Sequence, residues 1–272
     1  MAKVLQVSHS GYYDWLKTLE RPDTSSEEAI RKDIVEMFMY SRCSMGSRQL
    51  AAKLTQMYGY PVNRKRVRRY MRENALFSKT KGKYVVTTDS RDSKNVFSNV
   101  LNRSFEAHRP NEKMVSDTTY VWTSEGWLYV AGIMDLCGRK IVGLAISDKN
   151  DTQLVLDAFN DVKGRVGKKK LKGCILHSDR GSTYASNSYI AELQDCGITI
   201  SMSKKGDCWD NAPMESFWGK MKMEWLQKAY KTKEEAIRDV LEYAWSYHNV
   251  MRPHSANGNM TPTEYYKAHD IA

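Results

Sequence analysis

The stretch "KMVSDTTYVWTSEGWLYVAGIMDLCGRKIVGLAISD", residues 113–148, decides the fold. Its first segment, "KMVSDTTYVWT", alternates like a half-buried strand. "GWLYVAGIMDLCG" is a long apolar run rich in β-forming residues, and "RKIVGLAISD" reads as a third strand. Short glycine-containing turns at Ser124–Gly126 and Gly138 separate the three, which predicts an antiparallel meander. Downstream, "TQLVLDAFNDVKGRVG" (152–167) has helical spacing, "GCILHSD" (173–179) is a short buried strand, "NSYIAELQDCG" (187–197) is helical and "ITISMS" (198–203) is a strand. Two further helices follow, at 211–228 and 232–249. The order βββαβαβαα predicts an α/β domain built on a mixed five-stranded sheet with flanking helices.

Upstream of this domain the period is helical. Residues 26–42 place Ile30, Ile34, Met37 and Phe38 on one face. A second helix starts at Ser47 as N-cap, carries Leu50, Leu54, Met57 and Tyr58 on one side, and stops at Gly59. Asn63 caps a third, "RKRVRRYMRENAL", with Val67, Tyr70, Met71 and Asn74/Ala75 on one side. Arg64, Lys65, Arg66, Arg68, Arg69 and Arg72 surround the rest. Two short helices joined by a tight turn, the second strongly basic, are a helix-turn-helix signal, and those basic residues are candidate DNA contacts. Residues 78–112, rich in Ser, Lys and Asn, read as a basic linker lying on nucleic acid or on another part of the protein. The expected division is therefore an N-terminal segment 1–25, a small all-α domain 26–77, the linker 78–112 and an α/β domain 113–272.

Composition narrows the function. The 272-residue chain is 41% hydrophobic and carries a net charge of +10. Residues 1–112 hold 21 Lys and Arg against 12 Asp and Glu, and residues 113–272 hold 21 against 20. The positive excess sits in the first part, as expected for a surface that meets a polyanion. The five scattered cysteines (Cys43, Cys137, Cys174, Cys196 and Cys208) form no C-x-x-C pair, which argues against a disulfide framework or a zinc site and suits the cytoplasm. No apolar run has the length of a membrane span.

Three carboxylates stand where acids are costly. Asp117 lies inside the first strand, and Asp179 ends the apolar strand before Arg180–Gly181. Glu215 opens a helix whose Trp218 and Lys222 share its face, and 35 residues separate it from Asp179. Glu224 faces away, and Asp210 precedes the helix as a possible cap. At one edge of a mixed sheet Asp117, Asp179 and Glu215 would repel one another unless divalent cations sat among them. Oxygen ligands select Mg²⁺ or Mn²⁺, and two such ions can clamp a phosphoryl transfer.

The segments "SDTTYV", "HSDRGSTYAS" and "DNAPMESFWGKMKMEW" resemble those of the retroviral-integrase-like DDE transposases, in particular the downstream-frame product of two-frame bacterial insertion sequences. "VSHSGYYDWL", "MGSRQLAAKL", "VNRKRVRRYMRENAL", "YHNVMRPHS" and "TPTEYY" extend the resemblance along almost the whole chain. It implies a ribonuclease-H-like fold and a metal-binding catalytic triad of Asp117, Asp179 and Glu215, with two Mg²⁺ or Mn²⁺ ions. It also implies DNA contacts at Lys222 and Arg180, with Arg180 and Gly181 shaping the loop after the second acid. The implied activity is cleavage and strand transfer of double-stranded DNA at element ends and target, by a homo-multimer, with an upstream-frame protein as a further partner. Residues 1–18 read as the end of something that continues upstream. The alternatives are a non-catalytic DNA-binding regulator or degenerate copy, and a nuclease of the same fold that cuts without joining.

Overall fold

The structure, a computed structural model, describes residues 8, 10–13, 16, 27–79, 95–204, 208–226 and 228–269. Most of the N-terminal segment 1–25, the middle of the linker and Asp207 lie outside the described residues.

Three strands form the predicted meander: β1 (Lys113–Thr123), β2 (Gly126–Asp135) and β3 (Lys140–Ser147). After helix α4 (Thr152–Val166), β4 (Ile175–Ser178) pairs parallel to β1. After α5 (Asn187–Asp195), β5 (Thr199–Met202) pairs parallel to β4. The sheet order is β3-β2-β1-β4-β5, with β1–β2 and β2–β3 antiparallel. Strand alternation sends side chains to two apolar layers. Met114, Ala131, Ile133 and Val142 pack with α4 and α5. Val115, Val121, Leu128, Val130 and Met134 pack with α6 (Ala212–Glu224) and with α7 (Lys233–Leu241), which continues as a π-helix over Glu242–Met251. The final helix α8 spans Pro262–His269.

The N-terminal helices α1 (Glu27–Tyr40), α2 (Ser47–Tyr58) and α3 (Arg64–Glu73) bury Ile30, Ile34, Phe38, Leu50, Leu54, Val67, Tyr70 and Met71. Gly59 caps α2 at φ 70°, left-handed backbone that favours glycine, and the Asn63 side chain accepts from Lys65 N–H at 2.8 Å. Four details differ from the sequence reading. The N-cap of α2 is Gly46, whose N–H donates to Gln49 Oε1, and Ser47 is already helical. Met57 is exposed, because the face closed by Leu50 and Leu54 is narrower than the apolar stripe. Helix α3 ends at Glu73, leaving Asn74 and Ala75 exposed where the chain turns at Ala75, φ 53°. Helix α6 likewise ends four residues early, at Glu224 rather than 228.

The helical region and the sheet share one apolar cluster, and two polar clamps cross it. Arg42, which follows α1, donates to both carboxylate oxygens of Asp239 at 2.9 and 2.8 Å and lies 4.1 Å from the Trp225 ring. Burial works against ionisation of Asp239, but hydrogen bonds from Arg42, Tyr230 and Lys228 outweigh it and bring its pKa down to about 2. Deeper inside, Arg252 donates to Glu224 at 2.8 and 2.7 Å, and Tyr243 Oη donates to the same carboxylate at 3.0 Å. The described end of the linker lies on the sheet: Leu101 is buried, and its N–H donates to Ser201 Oγ at 3.0 Å.

A buried ion pair is costly to break from one side, because the remaining charge has no solvent. Arg252→Met should lower the unfolding free energy by about 3–5 kcal/mol. Arg252→Met with Glu224→Gln should recover much of that loss, measured by urea denaturation.

Candidate active site

The β1–β4 register builds the site. Val115 with His177 is the last pair of this ladder, so Asp117 and Asp179 each stand two residues past it, at the same offset along their chains, and Asp179 is near enough to act on the Asp117 charge. Neighbouring strands lie about 4.8 Å apart, and residues two positions on point to the same face. Asp117 is central to β1, whereas Asp179 sits just past the end of β4, where Gly181 N–H donates to its Oδ1 at 2.9 Å. A Cβ on Gly181 would stand 3.0 Å from that oxygen, so the loop fits closely around the carboxylate.

Helix α6 brings the third acid. Asn211, immediately before the helix, donates from Nδ2 to Ser116 O at 2.9 Å and so ties the helix start to the residue beside Asp117. Pro213 suits the first turn. Glu215 lies in that turn and is exposed. One turn on, Trp218 packs across β2 at Gly132, the residue paired with Asp117. A Cβ on Gly132 would stand 2.8 Å from Trp218 Cη2, so only glycine admits the ring there. The Trp218 Nε1–H has no acceptor in hydrogen-bonding geometry among the described residues, yet it lies close enough to Asp117 to favour the ionised carboxylate.

Burial, followed by the charge of Asp179, raises the Asp117 pKa to about 8; the Thr118 N–H opposes this, and the Glu215 charge adds a lesser rise. Burial also raises Asp179 and Glu215. Burial lowers the pKa of Lys222, and attraction to Asp117 partly offsets this. The Lys222 ammonium lies 4.7 Å from the Tyr120 ring centroid.

The remaining carboxylates of 207–225 have structural partners where they are described. Asp210 accepts from Arg103 Nε, Asn99 Nδ2 and Lys204 N at 2.8, 2.8 and 3.0 Å. Glu224 is the buried partner of Arg252. His177 is occupied at both ring nitrogens by Ser201 and Ser203, and burial lowers its pKa to about 4. Arg180 donates from Nε to Ser203 O at 2.7 Å. On α3, Arg64, Lys65 and Arg68 are exposed, while Arg69 pairs with Glu27 and Glu73 and Arg66 donates to Tyr70 Oη. Among the described residues, the one trio of potential ligand atoms mutually within 4.8 Å is Glu192, Asp195 and Cys196. Its acids are paired with Lys163 and Lys168, which leaves no charge for a cation to balance. Asp117, Asp179 and Glu215 form a more open set. Sequence alone did not single out Gly132, since its role depends on a cross-strand pairing.

The fold and this sheet edge define a ribonuclease-H-like integrase core behind an HTH-like helical region. Family models described as "Integrase core domain" match residues 107–208 and 196–262, and one described as "HTH-like domain" matches residues 25–84. The chain is 37% identical over its full length to the full-length 31 kDa protein of insertion element IS600 of Shigella sonnei. It is 33% identical to transposase InsF of insertion sequence IS3A of Escherichia coli K12, covering 97% of this chain and 92% of that protein. A simian T-cell lymphotropic virus intasome structure shares the fold at TM-score 0.50 and 10% identity, over 86% of this chain and 74% of that one. The chain belongs to the IS3 family of insertion-sequence transposases. No helix among the described residues is long and apolar enough to cross a membrane.

A carboxyl with a folded pKa near 8, against about 4 when unfolded, holds its proton more tightly in the native state. Its contribution to stability is fully present below about pH 4 and is lost as pH rises to about 8. In chelator, the unfolding free energy of the wild type minus that of Asp117→Asn should therefore fall across this range. A pH-independent difference would contradict the electrostatic description of Asp117.

Proposed function

We propose that this transposase cuts DNA strands at the ends of its element and joins them to target DNA, using divalent cations held by Asp117, Asp179 and Glu215. The reading is supported by the proximity of the three acids: Asp117 and Asp179 each follow the β1–β4 pairing by two residues, and Asp179 and Glu215 both raise the Asp117 pKa. The donor set fits hard cations: it is all oxygen, and its mutual repulsion is what a cation would relieve. Bound Mg²⁺ or Mn²⁺, two ions in this reading, would activate water and stabilise charge on the phosphate oxygens. The open spacing of the carboxylates leaves room for those oxygens. Asp117 and Asp179 fix one side of the site from the sheet, and Glu215 approaches from the helix. Lys222 holds a phosphate beside Asp117, and the buried Trp218 ring excludes water from the face toward β2.

Residues 26–77 act in this reading as a DNA-binding domain, with the linker 78–112 joining them to the catalytic domain 113–272. The exposed Arg64, Lys65 and Arg68 contact phosphates of double-stranded DNA, with Arg66 and Arg69 buttressing that face and Arg180 bracing the loop after Asp179. Holding two element ends for joining calls for more than one copy of the chain on DNA.

The test is an assay of strand-specific nicks and joined products from a labelled element end, with Mg²⁺ or Mn²⁺. Asp117→Asn, Asp179→Asn and Glu215→Gln should each reduce both products by roughly a hundredfold or more while retaining DNA binding. Nicks without joined products would favour a nuclease. Undiminished products from all three variants would remove the triad from the reaction.

A further inference from the structure

The β1–β2 hairpin continues well past the residues of β1 that pair with β4. Its register sets Trp122 opposite Trp127 and Tyr120 opposite Tyr129, so these four aromatic side chains share one face. Val121 and Leu128 occupy the other face and close the core. Tyr120, Trp122 and Trp127 remain 43%, 57% and 44% exposed, although large rings gain more from burial than most side chains. They form a continuous ladder: Trp127 lies 5.1 Å from Tyr120 and 4.7 Å from Trp122, centroid to centroid. Lys222 stands at one end of the ladder, above Tyr120, and is electrostatically coupled to Asp117. Asp117 shares the face of Val121, so the ladder lies on the opposite side of the hairpin; Lys222, from the helix that covers the Asp117 face, meets Tyr120 where the ladder begins, and the ladder runs from there to the hairpin tip. At the tip, Glu125 accepts from the Lys233 N–H at 2.8 Å, and Lys231 is exposed beside it.

We propose that Tyr120, Trp122 and Trp127 are a stacking platform for unpaired bases of the DNA strand that enters the active site. This rests on the reading of Asp117, Asp179 and Glu215 as the strand-cutting site. Paired bases inside a duplex present edges in the grooves, whereas exposed aromatic rings are suited to bases whose faces are free. The adjoining Lys222 supplies the cation that a phosphate beside such bases needs. A second copy of this chain would need no cation at the end of the ladder beside the carboxylates.

The experiment compares binding of the full chain, by fluorescence anisotropy without divalent cation, to a fully paired duplex and to a duplex of equal length bearing a single-stranded overhang. Trp122→Ala with Trp127→Ala should weaken the overhang probe roughly tenfold, because stacking is worth that much per base, and leave the paired duplex unchanged. Trp122→Phe with Trp127→Phe should retain most of the overhang affinity. Should the double alanine variant fail to unfold cooperatively, Trp122→Ala alone, at the most exposed ring, carries the same test. Equal weakening on both probes, no weakening on either, or a loss of self-association without a change in DNA preference would each overturn the platform. Asp117→Asn separates the two readings: it should abolish joining and keep the overhang preference. Joining that survives Asp117→Asn would sink the carboxylate reading while the binding comparison still decides the platform.

Discussion

A short parallel pairing between β1 and β4 carries the geometry of the candidate active site. Only Lys113, Met114 and Val115 pair with β4, yet that register gives Asp117 and Asp179 the same offset of two residues past the last pair. A slip of one residue would send Asp117 to the opposite face of the sheet, away from Trp218 and Glu215. The pairing is held from both sides. Met114 and Leu176 are buried against α4 and α5, and Val115 is buried against the layer that contains α6. Asn211 then fastens α6 to Ser116 O, so the strand that positions the first acid also positions the helix bearing the third.

The same economy shows in the polar interior. Of the carboxylates near α6, Asp210 and Glu224 are buried and fully engaged, by Arg103 and Asn99 in one case and by Arg252 and Tyr243 in the other. Glu215 alone among the described acids of that stretch is exposed. Burial with partners therefore distinguishes acids that hold the fold from one that can meet a ligand. The Arg42–Asp239 clamp also joins the helical region to the sheet domain, so the basic face of α3 is presented from a fixed base rather than from a separate bead on a string.

Much of this was legible in the sequence. The alternation of 113–123 located β1 to the residue, and "CILHSD" placed Asp179 at a strand end. The phase of Glu215, Trp218 and Lys222 put them on one side of α6, and half a turn separated Glu224 from them. Contacts that depend on cross-strand register or long-range packing were not legible. Gly132 matters because Asp117 is its partner and Trp218 its cover, and neither relation has a local signature. Arg42 and Asp239 are 197 positions apart, and no periodicity pairs them. Helix ends erred where tertiary geometry set them: the α2 cap moved to Gly46, and α6 stopped at Glu224, whose side chain turns inward to Arg252. The exposed aromatic ladder was not legible, because Tyr120 and Trp122 sit in an apolar stretch that reads as buried, and their exposure depends on what packs on that face of the hairpin.

The central claim is that three carboxylates gathered at one sheet edge are stable as ions only with a cation among them. Calorimetric titration of the purified chain with Mn²⁺ between pH 6 and 8 tests it most directly. The account predicts binding that strengthens roughly tenfold per pH unit as Asp117 gives up its proton, and that is lost in Asp117→Asn. Binding of equal strength in the wild type and in Asp117→Asn, or none at millimolar Mn²⁺, would contradict it.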